Sequence, residues 1–385
     1  MNFDKTQYLS LFRLQQECIK RNIPFVSYCL PLSGEIVTLV QYLSKPAKLD
    51  SIEDIDSKSG FVVVPFTKSE QHGAYLLKPD VVFVADEIEE NFINRLSQIN
   101  TFLSIKKPLG NELQTTTTFD FYTNVNNAIK AINSKELHKV VISKIRVEKL
   151  RDDFDGGNFF LHLCKTYPHA FVYFMQLPEV GCWFGSTPEP LLVIEDDTVK
   201  TVSLAGTQVT TGANIDSYRW KQKEIEEQEI VTHFVEMNLS AIGIENYTKT
   251  GPASYEAGNL IHLKTAFEFP ETKQKNCLGD FLKILHPTPS VAGLPKAEAS
   301  DFILQNEKHD RSYYTGFLGT VNINKKSAIF VNLRCLQLFD KQFVLFSGAG
   351  ITASSVPENE WIETENKMLT MMNVMKTCQS ETRKK

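Results

Sequence analysis

The sequence predicts an α+β fold with large, mostly antiparallel β-sheets. Strand candidates outnumber helix candidates along the chain, and several of them crowd into Phe171–Leu204. The turns that join them are short, such as the acidic turn before Val199. Connections of this length make antiparallel neighbours, because a parallel crossover needs a dozen residues or more. Separate runs of strand and helix then favour the α+β class.

The individual elements follow from hydrophobic periodicity. Apolar residues at three-to-four spacing predict helices over Asp4–Arg21, Glu87–Ile105, Phe119–Ser134, Ser217–Ile242 and Glu358–Thr377. Short apolar or alternating runs predict strands over Phe25–Leu30, Glu35–Leu43, Phe61–Pro65, Val81–Ala85, Lys139–Val147, Phe171–Leu177, Cys182–Gly185, Leu191–Glu195, Val199–Leu204, Leu260–Glu268, Ala328–Phe339 and Phe343–Ser347. Polar stretches predict loops at Ser44–Ser59 and Lys106–Thr118.

Composition excludes several classes of protein. The net charge of −5 argues against a nucleic-acid binder, whose surface is usually basic. The apolar runs are too short to span a membrane, and the polar N-terminus lacks the apolar stretch of a signal peptide. Seven scattered cysteines without a C-x-x-C pair indicate thiols in a reducing compartment. We therefore expect a cytoplasmic protein.

Two helices carry acidic residues in positions that suggest a site. Glu227 lies on the apolar stripe of its predicted helix, together with Val231 and Phe234. A carboxylate there must be paired, protonated or metal-bound, and pairing with a nearby lysine is the simpler interpretation. On the last helix, Glu363 and Lys367 share a face. Taken alone, they indicate an exposed ion pair.

The strand candidate that begins at Lys139 contains two lysines on opposite faces. Alternation places Lys139 with Val141 and Ser143 on one face, and Lys144 with Ile142 on the other. We expect one of the lysines to point inward, where desolvation would let it act as a base. A lysine at a strand end that reaches back to water is the alternative.

A glycine-rich segment follows the strand candidate Phe343–Ser347. Gly348, Gly350 and Ala353 match the dinucleotide pattern G-x-G-x-x-A. Too little chain follows for a nucleotide-binding half, and the next helix starts too late for its N-terminus to meet phosphates. The segment instead predicts exposed backbone N–H groups that approach a small anion, with Arg334 as a bidentate carboxylate ligand.

The order of these blocks resembles the chorismate-utilising enzymes, a family that includes anthranilate, aminodeoxychorismate, isochorismate and salicylate synthases. The resemblance covers about Phe119 to Cys378. Its blocks are Lys139–Lys144, Gly185–Leu192, Ser203–Thr207, Lys223–Val231, His262–Thr265, Leu285–Pro295, Tyr313–Gly319, Val331–Arg334 and Ser347–Lys367.

The resemblance implies the anthranilate synthase component I-like fold: one large α+β domain of two stacked, mostly antiparallel sheets flanked by helices. Residues 1–118 would form the N-terminal part of the same sandwich, without a recognisable motif. Residues 119–378 would form the chorismate-binding catalytic region, and residues 379–385 a basic tail.

The resemblance also implies a set of site residues and one cofactor, Mg²⁺. The metal ligands would be Glu227 and Glu363, with Glu360 as a water-bridged partner. The ring carboxylate of chorismate would complete the coordination sphere. Substrate contacts would come from Ala205, Gly206, Thr207, His262, Thr265, Tyr314, Arg334, Gly348, Ala349, Gly350 and Lys367.

Within the family, three features favour isochorismate synthases of the menaquinone or siderophore type. Aminating relatives carry Gln at the position of Lys139, since ammonia needs no base and water does. The aminodeoxychorismate branch carries a Lys at the position of Ala205 for a covalent intermediate. The segment Leu285–Pro295 is similar to that of isochorismate synthases. The expected catalytic residues are Lys139, the base that activates water at ring carbon 2, and Glu189, the acid that protonates the hydroxyl leaving carbon 4.

Two other readings are open. A salicylate synthase would add pyruvate elimination to the same first step. A non-catalytic chorismate-binding homologue would have lost catalytic residues, yet Lys139, Glu189, Glu227 and Glu363 are all present. We expect no nucleic-acid or membrane partner and no obligatory amidotransferase subunit. Ser347 and Gln228 depart from the common family residues, which are Ala and His.

Overall fold

A computed structural model describes residues 5–84, 87–99, 113–210, 212, 214–258, 260–271 and 278–382. In these ranges the helices are α1 Leu9–Arg21, α2 Glu90–Leu96, α3 Thr118–Asn133, α4 Gly156–Thr166, α5 Gln222–Ala241, α6 Leu278–Leu285, α7 Lys296–Asn306 and α8 Pro357–Thr382. Predictions that fall on Asp4, Ala85, residues 100–112, Cys277 and residues 383–385 lie outside the described residues.

The strands form two nine-stranded sheets in which every assigned strand pair is antiparallel. Sheet A contains β1 Phe25–Cys29, β2 Ile36–Val40, β6 Val81–Val84, β7 Lys139–Lys149, β8 Phe171–Leu177, β9 Gly181–Thr187, β14 Gly293–Leu294, β17 Cys335–Leu338 and β18 Gln342–Ile351. Sheet B contains β3 Ala47–Leu49, β4 Gly60–Val64, β5 Ala74–Leu77, β10 Pro190–Glu195, β11 Thr198–Val209, β12 Thr248–Ala257, β13 Leu260–Pro270, β15 Phe317–Ile323 and β16 Lys326–Val331.

The order in sheet A is β14-β7-β18-β17-β9-β8-β1-β2-β6, and in sheet B it is β12-β13-β11-β10-β16-β15-β4-β5-β3. An apolar core joins the two sheets face to face, with Phe171 of β8 stacked on Phe330 of β16 at 4.3 Å between ring centroids. Helices α1, α2, α4 and α8 cover the outer face of sheet A, while α5 and α6 cover sheet B. The predicted class and the stacked antiparallel sheets are confirmed.

Strands from the first 118 residues lie in both sheets, where β2 and β6 end sheet A and β5 and β3 end sheet B. The division of the chain at residue 118 stays a prediction.

The chain crosses between the sheets at two places that matter for the site. The strand predicted over Ala328–Phe339 is two strands, β16 in sheet B and β17 in sheet A. The break occurs at Asn332–Arg334, where Arg334 has a φ of +47°. The second crossover, Pro188–Glu189, joins β9 of sheet A to β10 of sheet B. The two crossovers are hydrogen-bonded to each other, since Val331 N donates to Glu189 O and Ser186 N to Arg334 O, both at 3.0 Å.

Other elements differ from prediction for local reasons. Helix α4 was not predicted because it begins with Gly156 and Gly157, which are poor helix formers. A Cβ at Gly157 would lie 2.4 Å from the ring of Phe12, so glycine permits α1 and α4 to pack closely. Strands β3, β5, β12, β14 and β15 and helices α6 and α7 were also missed, and β3 lies within the loop predicted at Ser44–Ser59. Helix α2 ends at Leu96, well short of its predicted end.

None of the six described cysteines, Cys18, Cys29, Cys164, Cys182, Cys335 and Cys378, forms a disulfide bond.

Candidate active site

A cavity opens between the sheets next to the two crossovers. Most residues proposed from sequence line it: Glu189, Ala205, Gly206, Thr207, Glu227, His262, Tyr314, Arg334, Gly348, Gly350 and Lys367. Lys139 reaches it through Glu227, because Lys139 Nζ lies 2.8 Å from Glu227 Oε1. The structure therefore gathers blocks that are far apart in the chain into one site.

Besides Lys139, four of the proposed residues lie outside the cavity lining. The side chain of Ala349 packs in the core with α3 and α7. Thr265 is fully buried and accepts a hydrogen bond from Gln228 Nε2 at 3.1 Å. Glu363 and Glu360 on α8 are joined to the site through lysines that contact them. The roles of all four stay predictions.

Glu189 lies at the crossover from β9 to β10, and its carboxyl has an unusual pKa. It is buried, and the hydroxyl of Ser290 donates to its Oε1 at 2.7 Å. Burial raises the pKa of this carboxyl to about 7, although Ser290 and the charges of Lys139, Lys367 and Arg334 act to lower it. Below pH 7 the group therefore holds a proton, as a general acid must.

Lys139 and Glu227 form an ion pair between sheet A and α5, in which Lys139 is buried and Glu227 partly buried. Lys139 and Lys144 of β7 are both buried: Lys139 contacts Glu227, while Lys144 packs over the Trp361 ring at 3.1 Å from its centroid. Burial acts to raise the pKa of Glu227, but the contact with Lys139 and the charges of Lys367 and Lys223 together lower it below its ordinary value. The ion pair lies directly against β18, since a Cβ at Gly350 would come within 2.3 Å of Glu227 Oε1.

Glu227 does not lie on the face of α5 that the sequence predicts to be apolar. The buried face consists of Gln228, Val231, Thr232, Val235 and Leu239, while Met237 is exposed. The shift arises because polar residues pack against the sheet: Gln228 Nε2 donates to Ser203 Oγ of β11 at 2.9 Å. Glu227 therefore borders the buried face and points toward Lys139.

The carboxylates on α8 are also paired with lysines. Glu363 Oε1 accepts from Lys367 Nζ at 2.7 Å, and Glu360 Oε1 accepts from Lys223 Nζ at 2.5 Å. Burial and the nearby charge of Glu363 raise the pKa of Glu360. The charge of Lys223 also acts on Glu363 and Glu227, so the three carboxylates share one electrostatic environment.

The donor set fits a hard divalent cation that is only partly coordinated by protein. Glu227, Glu360 and Glu363 offer oxygen ligands, which Mg²⁺ prefers. Within the described ranges, no three His, Cys, Asp or Glu side chains are close enough to enclose a metal ion by themselves. Mg²⁺ commonly uses one or two carboxylates and completes its sphere with water and substrate oxygens. The residues are therefore compatible with Mg²⁺ bound together with an anionic ligand.

His262 orients Arg334. Its Nδ1 lies 2.9 Å from Gly206 O, and because a carbonyl oxygen only accepts, Nδ1 carries the proton. The unprotonated Nε2 then accepts from Arg334 NH2 at 3.3 Å. Burial and the charges of Arg334 and Lys367 lower the pKa of His262 to about 3, so the ring is neutral near pH 7.

The glycine-rich segment lies inside β18, which extends to Ile351, rather than in a loop after it. Gly348 and Gly350 pair with β7 along one edge of β18. Pairing with β17 on the other edge stops at Leu345. On β18, Gly348 O accepts from Lys367 Nζ at 2.9 Å. Beyond Leu345 this edge of β18 has no assigned strand partner among the described residues, and its contact with a carboxylate stays a prediction.

Some contacts of the site were not recognised from the sequence. Lys223 precedes Glu227 by one helical turn, and that spacing could have identified it as a charge partner. The contact of Ser290 with Glu189 joins distant segments and leaves no signal in the sequence. The buried hydroxyl of Ser347 lines the cavity and has no hydrogen-bond partner among the described groups.

Comparison with known proteins agrees with this arrangement. The model of the family described as "Chorismate binding enzyme" matches residues 37–376. The chain belongs to this family. It is 29% identical over 245 residues to isochorismate synthase EntC of Escherichia coli K12, a match that covers 62% of each protein. It is 25% identical over 345 residues to the vibriobactin-specific isochorismate synthase of Vibrio cholerae, covering 88% of this chain and 84% of that protein.

Among solved structures, MenF, the menaquinone-specific isochorismate synthase from Escherichia coli, superposes with a TM-score of 0.73 at 20% identity. The match covers 97% of this chain and 92% of MenF. At this identity the likeness concerns the fold. In the part of the chain that the structure describes, no helix is long and apolar enough to cross a membrane.

Proposed function

We propose that the protein is an isochorismate synthase that requires Mg²⁺. The proposal rests mainly on the presence of two proton-transfer groups, Glu189 and Lys139, at one site in a member of the chorismate-binding family. Glu189 is a buried carboxyl whose pKa is raised to about 7, and Lys139 is a buried lysine at the same site. One can donate a proton near neutral pH, and the other can accept one in its neutral form.

The reaction needs these two proton transfers. Lys139 takes a proton from the water that attacks ring carbon 2. Glu189 gives its proton to the hydroxyl that leaves carbon 4, and the ring double bond shifts between the two positions. One water is consumed and one is released, so chorismate and isochorismate are isomers.

The remaining residues hold the two carboxylates of the substrate. Arg334, oriented by His262, and the backbone of Gly348–Gly350 would bind the side-arm carboxylate. Glu227 and Glu363 would hold Mg²⁺, with Glu360 acting through a water. When bound, Mg²⁺ neutralises and orients the ring carboxylate.

The choice of water over ammonia rests on Lys139, which stands where aminating relatives carry Gln, and on Ala205. The names of the relatives from Escherichia coli and Vibrio cholerae support the same choice. With water as the nucleophile, no ammonia-supplying subunit is needed.

Incubation of the purified protein with chorismate and Mg²⁺, followed by chromatography of the products, tests the proposal. We expect a stable mixture of chorismate and isochorismate, because the reaction between isomers is reversible. Conversion of the whole pool to salicylate and pyruvate would indicate a salicylate synthase instead.

Removal of the metal tests the cofactor. Chelator should abolish turnover and Mg²⁺ should restore it. Glu227→Ala and Glu363→Ala should each prevent the rescue at ordinary Mg²⁺ concentrations. Glu236→Ala is the matched control on α5, because Glu236 pairs with Lys249 away from the cavity. Undiminished turnover in excess chelator would rule out the metal assignment.

A further inference from the structure

The loop that carries Ser290 joins the acid of the site to the strand of the base. Ser290 Oγ donates to Glu189 Oε1 at 2.7 Å and lies 2.6 Å from Thr288 Oγ1. Because Ser290 uses its proton for Glu189, the hydroxyl of Thr288 is the donor to Ser290 Oγ. This arrangement leaves Glu189 Oε1 as an acceptor, so the proton of the neutral carboxyl belongs on Oε2.

The backbone around Ser290 is fixed to β7, the strand that begins with Lys139. Val141 N donates to Ala292 O at 2.7 Å, and Gly293 pairs with Val140. The loop of Ser290, which donates a hydrogen bond to Glu189, is therefore hydrogen-bonded to the strand that carries Lys139.

A buried pair of charged residues reinforces this connection. Arg311 donates to Val291 O at 2.9 Å with one nitrogen and to Val141 O at 2.7 Å with another. Its guanidinium also binds both carboxylate oxygens of Glu307, at 2.8 and 2.6 Å. Glu307 in turn accepts from Ser143 N at 2.6 Å. Arg311 thus holds the loop next to Ser290 and the base strand at once.

We propose that Ser290 is a positioning residue that assigns the transferable proton to Oε2 of Glu189, and that Arg311 acts through Ser290 by holding its loop on β7. The inference rests on the proposed function only for its kinetic consequences. The hydrogen bonds themselves predict a change in Glu189 that does not depend on any reaction.

Ser290→Ala tests the proposal, with Ser290→Thr as the variant that keeps the hydroxyl. The charged groups that face Glu189 are Lys139 from β7, Lys367 from α8 and Arg334 from the crossover, and none of them is altered. Since the bond from Ser290 favours the carboxylate, its loss should raise the pKa of Glu189. In infrared titrations, the midpoint of the Glu189 carboxyl should move to higher pH in Ser290→Ala and return in Ser290→Thr.

The kinetic readout uses chorismate and Mg²⁺. A general acid loses activity as pH rises through its pKa, so the alkaline limb of kcat/KM should move to higher pH in Ser290→Ala. Its kcat should fall by about 10-fold, the usual worth of one hydrogen bond to a charged group. Ser300→Ala, on α7 and without contact to Glu189, is the matched control and should superimpose on wild type.

Arg311→Lys tests the second half of the proposal. It should lower kcat with little change in KM, and it should add little to Ser290→Ala, because residues that act through one another are not additive. Additive effects would show that Arg311 does not act through Ser290. An unchanged infrared midpoint in Ser290→Ala would overturn the role of Ser290, even if the wild-type enzyme makes isochorismate. Absence of turnover in wild type would instead count against the proposed function, and the infrared result would still decide the inference.

Discussion

Glu189 is buried and Glu227 is partly buried at the same cavity, yet their surroundings shift the pKa values of the two carboxyls in opposite directions. Glu227 lies 2.8 Å from the ammonium of Lys139, and its pKa is lowered despite burial. Glu189 has a hydroxyl as its hydrogen-bonding partner and lies farther from the cations, so burial dominates and raises its pKa to about 7. The comparison shows that the position of the lysines determines which glutamate is charged and which is protonated near neutral pH. An ion-paired glutamate stays charged and can bind a metal, while an unpaired one keeps a proton to give.

The largest expected effect comes from removing the lysine that makes this difference. Lys139→Ala deletes the proposed base and leaves Glu227 without its ion-pair partner, so turnover should fall by about 10²–10⁴-fold while chorismate still binds. The measurement is kcat together with substrate affinity.

Lys144→Ala is the matched control, because it removes the other buried lysine of β7, which packs on Trp361 away from the cavity. Loss of the cation–π contact should lower the free energy of unfolding by about 1 kcal/mol and so lower the unfolding midpoint. Turnover per folded molecule should stay within a few-fold of wild type. Near wild-type turnover in Lys139→Ala would remove Lys139 from the mechanism.

A smaller effect should follow from displacing the ion pair without deleting it. A Cβ at Gly350 would lie 2.3 Å from Glu227 Oε1 and 3.0 Å from Lys139 Cε. Gly350→Ala should therefore separate the pair and lower kcat by about 10²-fold, the cost of a misplacement of about 1 Å. Gly348→Ala is the comparison, since its Cβ would meet Tyr314 Oη and Val141 Cγ1 at 3.1 Å and Ile142 O at 3.3 Å, so a shift of a few tenths of an ångström would accommodate it. Equal losses in the two variants would contradict the role assigned to Gly350.

The smallest effect concerns His262, which contacts Arg334 rather than either glutamate. His262→Phe removes the acceptor of Arg334 and should raise KM by about 10-fold with a smaller change in kcat, the scale of one charge-assisted hydrogen bond. Because the pKa of His262 is lowered to about 3, the ring takes up a proton only in strong acid. The wild-type KM should therefore show no transition near pH 6.5. The variant His233→Phe, at an exposed position, is the control. A transition near pH 6.5 that is lost in His262→Phe and kept in His233→Phe would contradict a neutral His262 ring.

Much of this site could be predicted from sequence because its blocks are local. The order of the blocks that carry Lys139, Glu227, Glu363 and Lys367 made the family resemblance recognisable, whereas spacing alone favoured simple ion pairs for Glu227, Glu363 and Lys367. The prediction of a single strand over Ala328–Phe339 was wrong because apolar residues continue across the point where the chain changes sheets. The left-handed backbone at Arg334 marks this break, and it has no signal in the sequence. The contacts of Ser290 and Arg311 could not be predicted from the sequence, since they depend on how the loop after α6 packs against β7 and against the β9–β10 crossover that contains Glu189.

The protonation of Glu189 can be measured directly by infrared spectroscopy of the carboxyl groups as pH is varied. Wild-type protein should show the absorption of a protonated, buried carboxyl at pH 6 that titrates with a midpoint at about pH 7, since Glu189 holds its proton below its pKa. Glu189→Gln should lack this absorption and lose turnover, whereas Glu227→Gln should retain it. If the absorption persisted in Glu189→Gln, or disappeared in Glu227→Gln, the division between a proton-donating and a charged glutamate would be contradicted.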